Sequence, residues 1–79
     1  LLDEMDRALT SGDITGLTRA AHTLKSNAAN FGADTLEDLS RALEESSRAG
    51  RTEAAPSALA AIRSAFDAVR PAILALKGD

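Results

Sequence analysis

The 79-residue chain contains no cysteine, tryptophan or tyrosine, and two phenylalanines are its only aromatic residues. Without cysteine, no disulfide framework and no thiolate metal site can form. No apolar run approaches the ~20 residues of a membrane-spanning helix, and no signal peptide is visible. The net charge of −3 argues against nucleic acid and against an anionic membrane surface as partners. We therefore expect a soluble domain without direct membrane contact.

The hydrophobic fraction of 44% consists almost entirely of alanine and leucine, which favour helices over strands. The length suits one small domain over residues 1–79. The chain begins Leu-Leu-Asp-Glu without a starting methionine, so we expect a fragment of a longer protein.

Apolar residues recur three and four positions apart in four segments, as they do in amphipathic helices. The first stripe is Leu2, Met5 and Leu9, and the second is Ile14, Leu17, Ala21, Leu24, Ala28 and Phe31. The third stripe is Leu36, Leu39 and Leu43, and the fourth is Leu59, Ile62, Phe66, Val69, Ile73 and Leu76.

Local signals predict where these helices begin and end. Asp13 is the expected N-cap of the second helix, and Gly32 is its expected left-handed C-terminal cap. Asp34 with Glu37 three residues later resembles a capping box for the third helix, which Gly50 closes. Short polar loops then predict an all-α, antiparallel four-helix bundle. In the last helix, Pro71 should produce a kink or split off the final turn and a half.

The only histidine, His22, lies on the second helix about 140° from the centre of the apolar stripe, so its side chain should be exposed. Lys25 and Ser26 follow at i+3 and i+4 and share its surface. Ala29 comes one turn further, and Gly32 ends the helix.

An exposed imidazole is a nucleophile, and a phosphoryl group placed on it carries about two negative charges, part of which a lysine one turn away can neutralise. Small neighbours leave room for a large partner. A lone histidine cannot build a metal site, so no metal is expected. An exposed histidine beside a lysine is also common as ordinary solvated surface, and spacing alone favours that interpretation.

The segment His22-Thr-Leu-Lys-Ser-Asn-Ala-Ala-Asn-Phe-Gly-Ala33 resembles the signature of histidine-containing phosphotransfer (HPt) domains of multistep phosphorelays. Gly12-Asp13 before it and Leu43-Glu44 with the Gly50 turn after it extend the resemblance over nearly the whole chain. Ser26 departs from the pattern, because the family usually has glycine there, and Asn27 is also less usual. These departures put partner preference in doubt and remove no reacting group.

The resemblance implies that His22 is the phosphoacceptor and that Lys25 neutralises phosphoryl charge. Arg19, Ser26, Ala29 and Gly32 would contact a docking receiver domain. His22 would take the phosphoryl group from the phospho-aspartate of one receiver and pass it to another. The Mg²⁺ would belong to the receiver, and the domain would have no cofactor and no ATP site of its own. We expect a monomeric, cytoplasmic domain, cut from the C-terminal end of a hybrid sensor histidine kinase in the inner membrane, with that kinase as a partner in cis.

Three alternatives are open, two within signalling and one from another class. The phosphoacceptor helix pair of a histidine kinase is disfavoured, because that family has an acidic residue and a proline where this chain has Thr23 and Asn27. An HPt domain phosphorylated directly by the ATP-binding domain of a chemotaxis-type kinase is a closer rival. A helical scaffold in which His22 is incidental is the third.

Most acidic residues, and three arginines, are predicted to be solvated: Asp3, Glu4, Asp6, Glu37, Asp38, Glu44, Glu45, Arg19, Arg41 and Arg48.

Overall fold

The computed structural model describes the backbone of residues 2–77 and the side chains of residues 2–68. It contains four α-helices, α1 (Leu2–Ser11), α2 (Ile14–Asn30), α3 (Asp34–Arg48) and α4 (Ala55–Lys77). No strand occurs between residues 2 and 77. The all-α prediction is therefore confirmed, and the four helices lie where the four apolar stripes predict them.

The ends of α2 are fixed by side-chain and backbone hydrogen bonds that the sequence predicts. Asp13 caps the start, because its carboxylate accepts a hydrogen bond from the Gly16 N–H at 2.9 Å. At the other end, Gly32 has φ of +69°, and the Gly32 and Ala33 N–H groups donate to the Ala29 and Ala28 carbonyls. This is a Schellman motif, which satisfies carbonyls that the helix end leaves free.

The predicted capping box of α3 is wrong. Asp34 is already the first helical residue, and the N-cap position is occupied by Ala33, which has no side chain able to cap. Glu37 instead accepts a hydrogen bond from Arg41 one turn further along at 2.8 Å. The two acidic residues in this first turn still favour the helix through its dipole.

The helices pack as a ring in chain order. α2 contacts α1 and α3, α4 contacts α3, and α1 closes the ring against α4. The α2–α3 contact is the most extensive, and the connection between these helices spans only residues 31–33. A connection this short makes α2 and α3 antiparallel neighbours, as predicted. Arg63 of α4 pairs with Asp6 and with Asp3 of α1, which joins the first and last helices.

The core inside this ring is built mainly from leucine and alanine. Its buried hydrophobic residues are Met5, Ala8, Leu17, Ala20, Ala21, Leu24, Ala28, Leu36, Leu43, Ala55, Leu59 and Ile62. Leu9, Leu39 and Phe66 are partly buried against it. Ile14 and Phe31, the two ends of the predicted α2 stripe, are 39% and 50% exposed and do not belong to the core.

Helix α4 is continuous from Ala55 to Lys77, so Pro71 does not split off its last turns. A kink at Pro71 stays a prediction. The predicted core positions Val69, Ile73 and Leu76 lie outside the residues whose side chains are described. Within the described part of the chain, no helix combines the length and the apolar character that crossing a membrane requires.

The Leu24→Ala variant should be destabilised by about 2–5 kcal/mol, because Leu24 is 3% exposed and its truncation leaves a cavity in the core. Urea denaturation followed by circular dichroism measures the change. Phe31→Ala is the matched control and should shift the free energy of unfolding by about 1 kcal/mol or less. Equal effects of the two substitutions would contradict the core described above.

Candidate functional site

His22 projects from α2 on the side away from the core, and its side chain is 58% exposed. Ala21 and Leu24 beside it are buried at 0% and 3% exposure and anchor this turn of the helix. The sequence predicts this orientation from the angle between His22 and the apolar stripe. The exposed part of the ring is open to a partner, and the rest faces α3.

Glu44 of α3 lies under the imidazole and is 3% exposed, although it carries an ionisable group. Its Oε2 atom lies 2.8 Å from His22 Nδ1 and accepts a second hydrogen bond from Arg48 Nη2, also at 2.8 Å. Its Oε1 atom lies 2.7 Å from Lys25 Nζ. One buried carboxylate therefore joins three basic side chains, and we call Glu44, His22, Lys25 and Arg48 the Glu44 cluster.

The Glu44 cluster keeps its carboxylate ionised. Mainly the hydrogen bond from Lys25, with a further hydrogen bond from His22 and the charges of both groups, lowers the pKa of Glu44 from 4.5 to about 2. Burial acts in the opposite direction, but the hydrogen bonds outweigh it. An ionised carboxylate can only accept hydrogen bonds, so Nδ1 of His22 must be the donor. In the neutral ring, the lone pair is then on Nε2, and the cluster selects this tautomer.

The prediction that Glu44 is solvated surface is therefore wrong, and Glu44 is the residue of the site that sequence reasoning missed. The buried residues of α3 are Leu36, Ser40, Leu43, Glu44 and Ser47. On a helical projection Glu44 lies about 70° from the centre of the other four, at the border of this face, where a charge can be buried or exposed. The sequence does contain one indication that Glu44 is paired, because Arg48 follows it at i+4.

The predicted docking residues Arg19, Ser26, Ala29 and Gly32 are all exposed. They surround His22 along α2 and take no part in the Glu44 cluster. Ser26 and Ala29 are small, so the surface that follows His22 has low relief. Arg19 has no ion pair within the part of the chain whose side chains are described, whereas Arg41 and Arg48 are both paired with acidic residues.

Lys25 is only 26% exposed, because it reaches across to α3. Its ammonium group is bound to Glu44, so Lys25 can neutralise phosphoryl charge, as predicted, only in addition to this bond.

Among residues 2–68, no group of three or more histidine and acidic side chains is placed to hold a metal ion.

The model of the Hpt domain family matches residues 1–72, which is most of the chain. The chain belongs to the HPt family. No curated protein and no solved structure matches it. Membership confirms the family that the His22 segment resembles and accounts for the four-helix architecture. It also means that the domain takes part in histidine phosphotransfer in a phosphorelay, a process in which HPt domains interact with receiver domains.

The low pKa of Glu44 predicts how the stability of the domain depends on pH. Because the pKa is lower in the folded state than the usual 4.5, Glu44 contributes stability that is fully present above pH ~4.5 and is lost as the pH falls toward ~2. The contribution is no more than ~3 kcal/mol. Glu44→Gln should abolish this part of the acid dependence, which urea denaturation between pH 2 and 7 measures.

Glu45→Gln is the matched control, since Glu45 is the exposed neighbour on the same helix. It should keep the acid dependence of the parent chain. An acid profile of Glu44→Gln that coincides with that of Glu45→Gln would mean that Glu44 is not the titrating group.

Proposed function

We propose that His22 is the phosphoacceptor of this HPt domain and that its Nε2 atom receives the phosphoryl group from the phospho-aspartate of a receiver domain. The observation that carries the proposal is the hydrogen bond between His22 Nδ1 and the buried carboxylate of Glu44. It places the nucleophilic lone pair on Nε2 of a ring whose side chain is 58% exposed.

In the transfer step, Nε2 attacks phosphorus, the N–P bond forms, and the P–O bond to the aspartate breaks. The aspartate leaves as a carboxylate with the bonding electron pair. The ring keeps its proton on Nδ1 and gains positive charge, which the carboxylate of Glu44 stabilises across 2.8 Å. Reversal of these events on a second receiver returns the ring to its starting state. Phosphoryl transfer depends chiefly on positioning and charge neutralisation, and Glu44 supplies both to His22.

Lys25 has two roles in this proposal. Its ammonium group holds Oε1 of Glu44 at 2.7 Å and so fixes the carboxylate that orients His22. Since an ammonium group has three hydrogens to donate, Lys25 can also donate to a phosphoryl oxygen. Arg48 uses Nη2 for Glu44 and is 67% exposed, so it is a second cation beside the reacting ring.

The docking surface of the proposal is the exposed side of α2 around His22. Arg19 lies one turn before His22, and Ser26 and Ala29 lie one and two turns after it. Gly32 ends the helix. A receiver can approach closely over the small side chains of Ser26 and Ala29. The receiver would bring its own Mg²⁺ to the phospho-aspartate.

The test of the phosphoacceptor compares the parent chain with His22→Ala after incubation with a phosphorylated receiver. The parent should acquire an acid-labile, alkali-stable label, and His22→Ala should acquire none. Thr23→Ala, which changes the exposed neighbour of His22, is the matched control and should be labelled like the parent. Label only from ATP and a kinase ATP-binding domain would favour the chemotaxis-type alternative. Absence of label from every donor would favour a scaffold.

Substitutions at Glu44 and Lys25 should distinguish two contributions to the transfer rate, the orientation of the His22 ring and the charge of the Glu44 carboxylate. Glu44→Gln keeps an oxygen that accepts from Nδ1 and loses the charge, so the transfer rate should fall about 10-fold. Glu44→Ala loses both, and the rate should fall about 100-fold. Lys25→Ala should slow transfer and raise the pKa of Glu44, since the hydrogen bond from Lys25 is the main cause of its low value.

Single-turnover phosphotransfer measures these rates, and ¹⁵N NMR of the imidazole reports which ring nitrogen carries the proton. Glu45→Gln again serves as the control. A parent-like rate and tautomer in Glu44→Ala would remove Glu44 from the mechanism.

A further inference from the structure

A groove of about 460 Å³ between α2 and α3 begins at His22 and extends toward the start of α2. The residues of this groove that bear on ligand binding are Thr15, Thr18, Arg19, His22, Ser47 and Arg48, and we call it the α2–α3 groove. Because the two helices are antiparallel, Ser47 and Arg48, one turn after Glu44, lie beside the turn of α2 that precedes His22.

The unpaired hydroxyl of Ser47 is the first observation that indicates a ligand in this groove. Ser47 is 1% exposed, and its Oγ has no hydrogen-bond partner within the described residues. Ser40, seven residues earlier on the same face of α3, is equally buried, but its Oγ donates to the Leu36 carbonyl at 2.7 Å. Buried hydroxyls normally have a partner. Because Ser47 lines the α2–α3 groove, an acceptor that enters the groove can provide the missing partner.

The charge of the groove indicates that this acceptor is an anion. Two of its residues are arginines, and none is acidic. Arg19 has no ion pair among the described side chains, and Arg48 uses only Nη2 for Glu44, which leaves Nη1 and Nε with hydrogens to donate. The larger groove between α1 and α2 shares Arg19 and adds Arg7, but it differs in that two of its residues, Glu4 and Asp13, are acidic.

We propose that the α2–α3 groove binds a carboxylate side chain of the protein that docks over His22. Arg19 and Arg48 would pair with the carboxylate, whose planar shape matches the guanidinium fork, and Ser47 would donate a hydrogen bond to it. Ile14, 39% exposed at the far end of the groove, provides apolar contact for a neighbouring side chain of the partner.

The carboxylate would bind toward the start of α2, away from the end of the groove that His22 lines. Thr18 and Thr15 lie four and seven residues before His22, which places this part of the groove about one to two helical turns, ~6–10 Å, from the reacting ring. A partner bound at both points is held in one orientation over Nε2. The inference rests on the proposed function in one respect, since the docking protein is a receiver.

The experiment measures the affinity of a Mg²⁺-loaded receiver that labels the parent chain, by isothermal titration calorimetry. Ser47→Ala and Arg19→Gln should each raise Kd about 10-fold or more, as expected for loss of a hydrogen bond to a charged group. Ser40→Ala and Arg41→Gln, which change the same residue types outside the groove, should change Kd less than about 2-fold.

Thermal denaturation provides a second measurement. Ser47→Ala should raise Tm by a few degrees while weakening binding, because it removes an unpaired buried hydroxyl. Ser40→Ala should lower Tm. A Ser47→Ala variant that binds the receiver with the affinity of the parent would overturn the proposal, even where His22→Ala still abolishes labelling and the proposed function stands.

A titration of the isolated chain with sodium acetate tests the groove without any receiver. Amide shifts in the ¹H–¹⁵N spectrum should change at Thr18, Arg19 and Ser47, and these changes should be absent in the double variant Ser47→Ala/Arg19→Gln. Shifts that are unchanged by the double variant would overturn the carboxylate site. If no receiver binds, the proposed function fails, and this titration still decides whether the groove takes a carboxylate.

Discussion

The burial of Glu44 is the constraint on which the rest of the site depends. Removing a carboxylate from water costs several kcal/mol unless hydrogen bonds replace the lost hydration. Here Lys25, His22 and Arg48 provide those hydrogen bonds, at 2.7–2.8 Å. If α2 and α3 were shifted along each other, Glu44 would lose its hydrogen bonds to His22 and Lys25 and would be too costly to bury. The buried carboxylate therefore also fixes the register of the two helices.

Close helix packing makes this arrangement possible. Three of the five buried residues of α2 are alanines, and Ala20, Ala21 and Ala28 are all at least 92% buried. Small side chains let the helix axes approach, so a residue of α3 can reach under a side chain of α2. The three-residue connection after the Schellman motif at Gly32 then determines which residue of α3 faces His22. The geometry of the site therefore depends on the turn at Gly32 and on the alanine-rich buried face of α2 as much as on the reactive residues.

What could be predicted from the sequence is what local physical chemistry determines. Asp13 and Gly32 mark the ends of α2, and the angle between His22 and the stripe gives its exposure. Ile14 and Phe31 were misplaced, because periodicity identifies a helical face but not how far the neighbouring helices cover it. Asp34 failed as a cap because a shift of one residue places it inside the helix. Glu44 could not be found from one helix, since its burial depends on partners 19 and 22 residues away that only the packed bundle brings near.

The balance of charge around His22 connects the cluster to the chemistry. The chain as a whole carries −3, yet Arg19, Lys25 and Arg48 stand near His22 against the single carboxylate of Glu44. Two positive charges are therefore in excess at this surface. A phosphoryl group on nitrogen brings about two negative charges, while the ring that carries it gains one positive charge, so phosphorylation lowers the positive excess from about two charges to about one. The larger excess attracts an acidic partner before transfer, and the smaller excess binds that partner less strongly afterwards. A site that must both accept and pass on a phosphoryl group benefits from this decrease, and the Glu44 cluster sets the starting charge from which it occurs.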